Sequence, residues 1–284
     1  MEASSVRKKR KVWVILVPAI ILLVLLCGTV VGFTVLGNNA EDKVQTQDLS
    51  ESLGYTTAAK FDFNIGTGNL TVDRLTGGEQ LLASGALEYF EKQGPPTRSP
   101  HSSNGQAAFK LNGIGAGQPW FHFPWSACNG ATAWQIHLNP MVSSDITTHT
   151  GGGNIKVDLA GMTVTRVLAD TGGGNIDMFL PEHAADLTIT SKTGAGNVTV
   201  ELGSGTTGSS VVNATSEAGR AVVRLPGGIA ARIHAATGLG KATGDPRFNK
   251  VDKDMYQSPG FDGAASKVEI KIHSGAGEVI VITR

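Results

Sequence analysis

The segment Thr150–Val157 reads Thr-Gly-Gly-Gly-Asn-Ile-Lys-Val, and close copies of it recur as Thr171–Met178 and Thr193–Val200. A fixed period of this size is typical of a solenoid, in which each repeat is one structural turn. We therefore expect each coil to stack on the next one in chain order. The third glycine of the phrase and its degenerate copies mark the period at residues 153, 174, 196, 219, 240 and 277, with spacings of 21, 22, 23, 21 and 37 residues.

Each repeat contains two short stretches in which apolar and polar residues alternate. In the first stretch of one repeat, Ile155, Val157 and Leu159 alternate with Lys156 and Asp158. A period of two indicates β-strands that bury one face. The predicted class is all-β: a single-stranded β-solenoid of stacked two-strand coils with a period of about 21–23 residues.

The corner of each repeat carries the candidate structural residues. Glycine allows positive φ angles and close backbone approach where one strand turns into the next. The asparagines recur in adjacent layers, so we expect an amide ladder that satisfies turn carbonyls; contact with a ligand is the alternative. His149, Asp170 and Lys192 are expected to stack in a parallel column of alternating charge. The candidate turn and ladder residues are Gly66, Gly68, Asn69, Gly151, Gly153, Asn154, Gly172, Gly174, Asn175, Gly194, Gly196 and Asn197.

The N-terminus predicts a compartment. A basic stub, residues 1–11, precedes residues 12–36, which contain no charged residue and are long enough to span a bilayer as a helix. The positive-inside rule places the stub in the cytoplasm and the rest of the chain outside, so we expect a single-pass protein of the plasma membrane. A cleaved signal peptide is the alternative. Lipidation at Cys27 is disfavoured, because a large leucine precedes it.

The rest of the chain divides into three predicted parts. Residues 37–56 are polar and are expected to form a juxtamembrane linker, and residues 57–140 an entry or capping β module. Residues 141–284 are expected to form the regular coils. The 85 residues between Gly68 and Gly153 correspond to about four periods, and the 37-residue step near the C-terminus to an interruption at residues 245–266.

No combination of residues indicates catalysis. Residues 203–208 match a dinucleotide fingerprint, but another strand is expected after them, so no helix N-terminus could hold a pyrophosphate. The seven histidines have no metal-ligand spacing. We therefore predict no enzyme activity, no cofactor and no metal site. A polysaccharide-active β-solenoid enzyme is the remote alternative.

The net charge and the aromatic residues indicate which kinds of partner the protein could bind. Outside the stub the chain has 19 basic and 23 acidic residues, which makes it a poor candidate for nucleic-acid binding. Four aromatic residues without strand periodicity form a candidate interaction patch for glycan, peptide or lipid, although packing over an end of the stack is the simpler interpretation. They are Trp120, Phe121, Phe123 and Trp125.

The strand at 61–73, the strand at 134–140 and the repeated Thr-Gly-x-Gly-Asn phrase, followed by Leu180-Pro181 or Leu225-Pro226, resemble the toast-rack domain. That domain occurs in LiaF-type cell-wall-active antibiotic response proteins and is similar to Gly-rich adhesin repeat families. The resemblance implies a bacterial envelope protein with a regulatory or adhesive role. Its partners would be the membrane through residues 12–36, and another membrane protein or an envelope glycan. Its oligomeric state is left open.

Overall fold

The computed structural model describes residues 43–77, 80–113 and 132–284. These residues form β-strands and a single short 3-10 turn, Phe261–Gly263. None of them belongs to a helix with the length and apolar character of a membrane span. The predicted span at 12–36 and the stub at 1–11 lie outside the described residues.

The strands are β1 (Val44–Ser52), β2 (Ala58–Asn64), β3 (Asn69–Arg74), β4 (Leu81–Phe90), β5 (Thr97–Ser103), β6 (Gln106–Asn112), β7 (Ala133–Leu138), β8 (Ser143–Thr150), β9 (Ile155–Asp158), β10 (Val164–Gly173), β11 (Ile176–Phe179), β12 (Thr188–Ala195), β13 (Val198–Glu201), β14 (Ser209–Ala218), β15 (Ala221–Leu225), β16 (Ala230–Leu239), β17 (Ala242–Gly244), β18 (Asn249–Asp252), β19 (Met255–Gln257), β20 (Lys267–Ala276) and β21 (Val279–Thr283).

The strands form two open sheets. The ten-stranded sheet has the order β1-β4-β7-β3-β9-β11-β13-β15-β21-β17, and the eleven-stranded sheet has the order β18-β19-β16-β20-β14-β12-β10-β8-β2-β6-β5. In the middle of the stack each coil gives one strand to each sheet, and neighbouring coils pair in parallel. The predicted all-β, solenoid-like class is therefore confirmed.

The parallel register stacks like residues in columns inside the molecule. Ile176 lies in register with Ile155 on one side and with Val198 on the other, and all three are buried. Each such side chain contributes roughly 1.5–3 kcal/mol through burial. At the N-terminal end the core is aromatic, since the rings of Phe61, Phe63 and Phe109 have centroids 5.8–6.5 Å apart.

The expectation that the coils stack in chain order is wrong at the N-terminal end. β3 pairs directly with β9, with Leu70 opposite Ile155, so the coil at Gly68 is the immediate neighbour of the coil at Gly153. The residues between them add β7 and β4 to one sheet and β6 and β5 to the other, and β1, which precedes Gly68 in the chain, pairs with β4 at the end of the first sheet. Since β1, β4 and β5 pair antiparallel with their neighbours, this end has a different construction from the coils.

The strand β1 lies within the segment that was predicted to be a linker. Residues 44–52, expected to belong to a polar linker at 37–56, form a nine-residue strand paired with β4. Of the side chains that this strand points inward, only Leu49 is apolar and fully buried; Gln47 and Glu51 flank it. The hydropathy alternation that marks the other strands is therefore missing here, because an end strand covers little core.

Chain order fails again at the C-terminal end. The last strand pair, β20 and β21, lies between the coil of β14 and β15 and the coil of β16 and β17, although it is synthesised after both. β20 pairs with β14 and with β16 in parallel along its length, and β21 pairs with β15 and β17. The predicted regular coils at 141–284 thus follow chain order only as far as β15.

Ending the chain at Ser266, which removes β20 and β21, should disrupt β16 as well as the missing strands. β20 is the only strand of the main stack that pairs with β16 in the described residues, and five buried aliphatic side chains are lost: Val268, Ile270, Ile272, Val279 and Val281. We expect a stability loss of more than about 5 kcal/mol. Hydrogen exchange with mass spectrometry should show lost protection in β16 and retained protection in β10.

A chain that lacks only Arg284 is the control for this truncation. It loses an ion pair with Glu201 and a backbone hydrogen bond to Leu225 but keeps both strands. Normal protection of β16 in the chain ending at Ser266 would contradict the inserted position of the last coil.

Candidate interaction surface

The glycine column at the corner is the point of closest contact between coils. The marker glycines all have φ between +133° and +153°. A Cβ atom on any one of them would overlap the backbone of the neighbouring coil, which for most of the column is the carbonyl of the next glycine. The order of contact is Gly68, Gly153, Gly174, Gly196, Gly219, Gly277 and Gly240, which follows the stack and not the chain.

The first glycine of each phrase forms a second close column. A Cβ on Gly151 would lie 2.6 Å from the carbonyl oxygen of Gly66, and one on Gly194 would lie 2.5 Å from that of Gly172. The middle position is free, because Gly173 has no atom within 4 Å of the place of its Cβ. The pattern Gly-x-Gly therefore reflects two close approaches separated by one open position.

Buried hydroxyls satisfy the carbonyls of the glycine column. Three residues before each marker glycine except Gly68 lies a threonine or serine, and most of these side chains are buried in the stack. The Thr171 hydroxyl lies 3.0 Å from the carbonyl oxygen of Gly153, and the Thr193 hydroxyl lies 2.8 Å from that of Gly174. Equivalent bonds extend to Thr150, Ser216, Ser274 and Thr237. This threonine belongs to the repeated phrase, and its recurrence at position −3 is the signal in the sequence that points to its role.

The asparagines form a ladder on the outside of the same corner. The backbone N–H of Asn175 donates to Oδ1 of Asn154 at 2.9 Å, and that of Asn197 donates to Oδ1 of Asn175 at 2.8 Å. The ladder begins at Asn69 and ends where the N–H of Arg220 meets Oδ1 of Asn197. The side-chain oxygens thus accept from turn N–H groups. The predicted ladder is present, but its bonds are made to turn N–H groups and not to turn carbonyls, which accept from the hydroxyl column instead.

A polar column crosses the outer face of the eleven-stranded sheet. Asp170 is in register with His149 and Lys192 on the adjacent strands. His149 Nδ1 lies 3.3 Å from Asp170, and Lys192 lies 3.8 Å from Glu217. The hydrogen bond to Asp170 raises the pKa of His149, partial burial opposes this, and the charges of Asp170 and Asp62 add to it. This face is an ion-paired, solvent-exposed surface.

The outer face of the ten-stranded sheet carries ion pairs beside apolar side chains. His137 contacts Asp73 near the N-terminal end, and Arg224 lies 3.6 Å from Glu201 near the other end. Val222 and Ile280 are neighbours in register on this face. Both outer faces of the stack therefore carry ion pairs between adjacent strands.

The described residues contain little that could perform chemistry. No group of three or more His, Cys, Asp or Glu side chains among them could hold a metal ion. Residues 203–208 lead into β14, so the dinucleotide-like stretch is followed by a strand, as expected. Two cavities, of about 160 and 20 Å³, lie at the N-terminal end, below the range of roughly 300–1,000 Å³ of typical ligand pockets. The aromatic patch of Trp120, Phe121, Phe123 and Trp125 lies outside the described residues.

The stacked coils and their outer faces define a solenoid-like, all-β domain. The sequence matches the model of the family described as the N-terminal domain of toast_rack, DUF2154, over residues 38–201. Because the match covers more than half of the chain, the protein belongs to this toast-rack family, and the predicted resemblance is confirmed. No curated protein matches the sequence.

Solved structures share the fold. A "putative cell adhesion protein" from Clostridium sporogenes superposes with a TM-score of 0.63 at 18% identity, covering 85% of this chain and all of that one. A "putative adhesin" from Bacteroides fragilis gives a TM-score of 0.31 at 11% identity, covering 84% of this chain and 97% of that one. At these identities the first similarity shows the fold alone.

Gly174→Ala should destabilise the fold by about 2–4 kcal/mol, because its φ of +133° is almost restricted to glycine and its Cβ would overlap the Gly153 carbonyl. The adjacent Gly173→Ala is the matched control: nothing obstructs its Cβ, and the register partner one coil along is Ala195. We expect its stability to be unchanged or slightly higher. Urea unfolding measures both, and equal losses would contradict the close-approach account.

Asp170→Asn tests the pair with His149. Because the pKa of His149 is raised above 6.5, the pair stabilises the fold fully below that pH while Asp170 is ionised, and this contribution is lost as the pH rises through the raised pKa. The side chains are 44% and 41% exposed, so we expect an effect below about 1 kcal/mol. In urea titrations the variant should lose more stability near about pH 5.5 than near about pH 9.

Asp177→Asn serves as the control, since this exposed carboxylate lies on the other sheet. Its effect on the free energy of unfolding should not change between these two pH values. A pH-independent effect of Asp170→Asn would show that the ion pair does not stabilise the fold.

Proposed function

We propose that this protein is a membrane-anchored, extracytoplasmic, non-catalytic interaction or sensing module of the bacterial cell envelope. The proposal depends on which residues join the coils and which remain on the outside. Glycines, buried hydroxyls and asparagines make the contacts between one coil and the next. The two outer faces of the coils remain available to other molecules, and they are broad, polar and continuous across neighbouring coils.

The anchor is argued from the sequence. Residues 12–36 form an uncharged apolar run behind five consecutive basic residues, 7–11. Such a run is long enough to cross the hydrocarbon core, and the basic cluster favours the cytoplasmic side. The residues that follow position 36 would then lie on the outer side of the membrane.

The side chains of the described residues and the family both support a role without catalysis. The described residues hold no metal-ligating group of three, and the cavities at the N-terminal end are small. Membership of the toast-rack family agrees with a non-enzymatic role. The remote alternative, a polysaccharide-active enzyme, would require a lateral cleft with two close carboxylates.

A second candidate is an adhesin-like or self-assembling surface protein. It is motivated by the structural similarity to a protein described as a cell adhesion protein. Regulation and adhesion make different demands, since a regulator needs a membrane partner whereas an adhesin needs only an exposed face.

The test is a pull-down of the tagged full-length protein, crosslinked in its native membrane and analysed by mass spectrometry, beside a chain that lacks residues 1–36. Recovery of another membrane protein that is lost without those residues would support the regulatory role. Recovery of envelope glycan or of the protein itself by both chains would favour adhesion or assembly. Release of soluble fragments from a cell-wall polymer by the purified outer domain would overturn both.

Two charge reversals locate the face involved. Lys271→Glu alters the eleven-stranded sheet and Lys156→Glu alters the ten-stranded sheet, and both lysines are exposed on their strands. We expect one of them to reduce recovery of the partner at least about fivefold and the other to leave it unchanged. An equal effect of both would argue against a face-specific interaction.

A further inference from the structure

Three of the four sheet edges have features that block pairing with another strand. β17 is only three residues long, and β18 has four residues with a register shift and exposed charges. β5 has seven residues but carries Pro100 at its centre. Short strands, charges, irregular pairing and proline are the devices by which soluble proteins protect exposed edges.

β1 is the exception. It has nine residues, contains no proline, and pairs in continuous register with β4 from Val44 to Glu51. Its other edge pairs with no strand among the described residues. A strand of this length with a free row of N–H and C=O groups is a template for pairing.

The direction of these backbone groups can be assigned. The carbonyl of Lys43 accepts a hydrogen bond from Glu91, immediately beyond β4, so the groups of Lys43 point toward β4. Successive residues of a strand point their backbone groups to opposite edges. The free edge therefore presents the N–H and C=O groups of Val44, Thr46, Asp48 and Ser50.

Gln47 lies at the middle of this edge with an unsatisfied side-chain oxygen. The residue is half-buried and points to the inner side of the sheet. Its Oε1 is shielded from solvent and has no hydrogen-bond partner among the described residues. A buried amide oxygen without a donor costs about 1–3 kcal/mol, so a rotation of the side chain that brought this oxygen to a donor on a neighbouring chain would be stabilising.

We infer that β1 pairs with β1 of a second copy of this chain, antiparallel and centred on Gln47, so that the two ten-stranded sheets become continuous. In this register Gln47 faces Gln47 in a non-hydrogen-bonded pair, where side chains approach most closely. Each amide can then donate to the oxygen of the other. Thr46 faces Asp48, so the two Asp48 carboxylates are not directly opposite. A register centred on Asp48 would set these two carboxylates against each other.

Disulfide crosslinking of the full-length chain in membranes tests this register. With Cys27 and Cys128 replaced by serine, Gln47→Cys should form an interchain disulfide under mild oxidation, because the centre of an antiparallel pair brings Cα atoms within about 4.5–5.5 Å. Gln135→Cys is the matched control, an exposed glutamine on β7 of the same sheet. No dimer with Gln47→Cys, or equal yields from both variants, would contradict the inference.

Thr46→Pro tests the edge itself. It removes an N–H group that points to the free edge and none that bonds to β4, as Pro100 does in β5. Sedimentation of the full-length protein in detergent should show at least tenfold weaker dimerisation. Gln47→Glu, compared with Gln135→Glu, tests the same contact without a backbone change, should Thr46→Pro fail to fold. A dimer that persists in both edge variants would show that association occurs elsewhere.

Discussion

The regular part of this structure depends on how closely the backbones of adjacent coils approach at the glycine column. A Cβ atom on Gly174 would overlap the carbonyl of Gly153, and the same relation is repeated through most of the stack. The close approach would leave carbonyls buried at the corner, and the hydroxyl of Thr171 or its counterpart satisfies each of them. The Asn ladder completes the corner on its outer side.

Because every coil presents the same corner to its neighbour, the contact does not specify which coil comes next. At both ends of the stack, coils that are neighbours in space are not consecutive in the chain. The coil of Gly68 lies directly beside that of Gly153, and the coil of Gly277 lies between those of Gly219 and Gly240. Placing β20 and β21 inside the stack couples them to a coil on each side, which an end-on addition would not do.

The placement of the joining residues also matters for function. Most side chains that join the coils are held inside the stack or along its corner, so an exposed ion pair such as His149 with Asp170 adds little to the stability of the fold. One outer face carries an ion-paired column around His149 and Asp170, and the other carries ion pairs beside apolar residues. Broad faces of this kind suit recognition better than chemistry, which needs convergent groups in a cleft.

The sequence by itself determined the repeating unit. Its Gly-x-Gly-Asn phrase and its two-residue alternation depend on contacts that every coil makes identically, so their signal recurs along the chain. The hydroxyl column was visible as the threonine of the phrase, but its role and the direction of the Asn hydrogen bonds needed the positions of neighbouring backbones. Only the tertiary structure decided the order of the coils and the inclusion of β1. The order of the coils is not encoded locally, because equivalent corners fit any neighbour. The strand β1 is not evident in the sequence, because it buries little more than Leu49 and so has no alternation of apolar and polar residues.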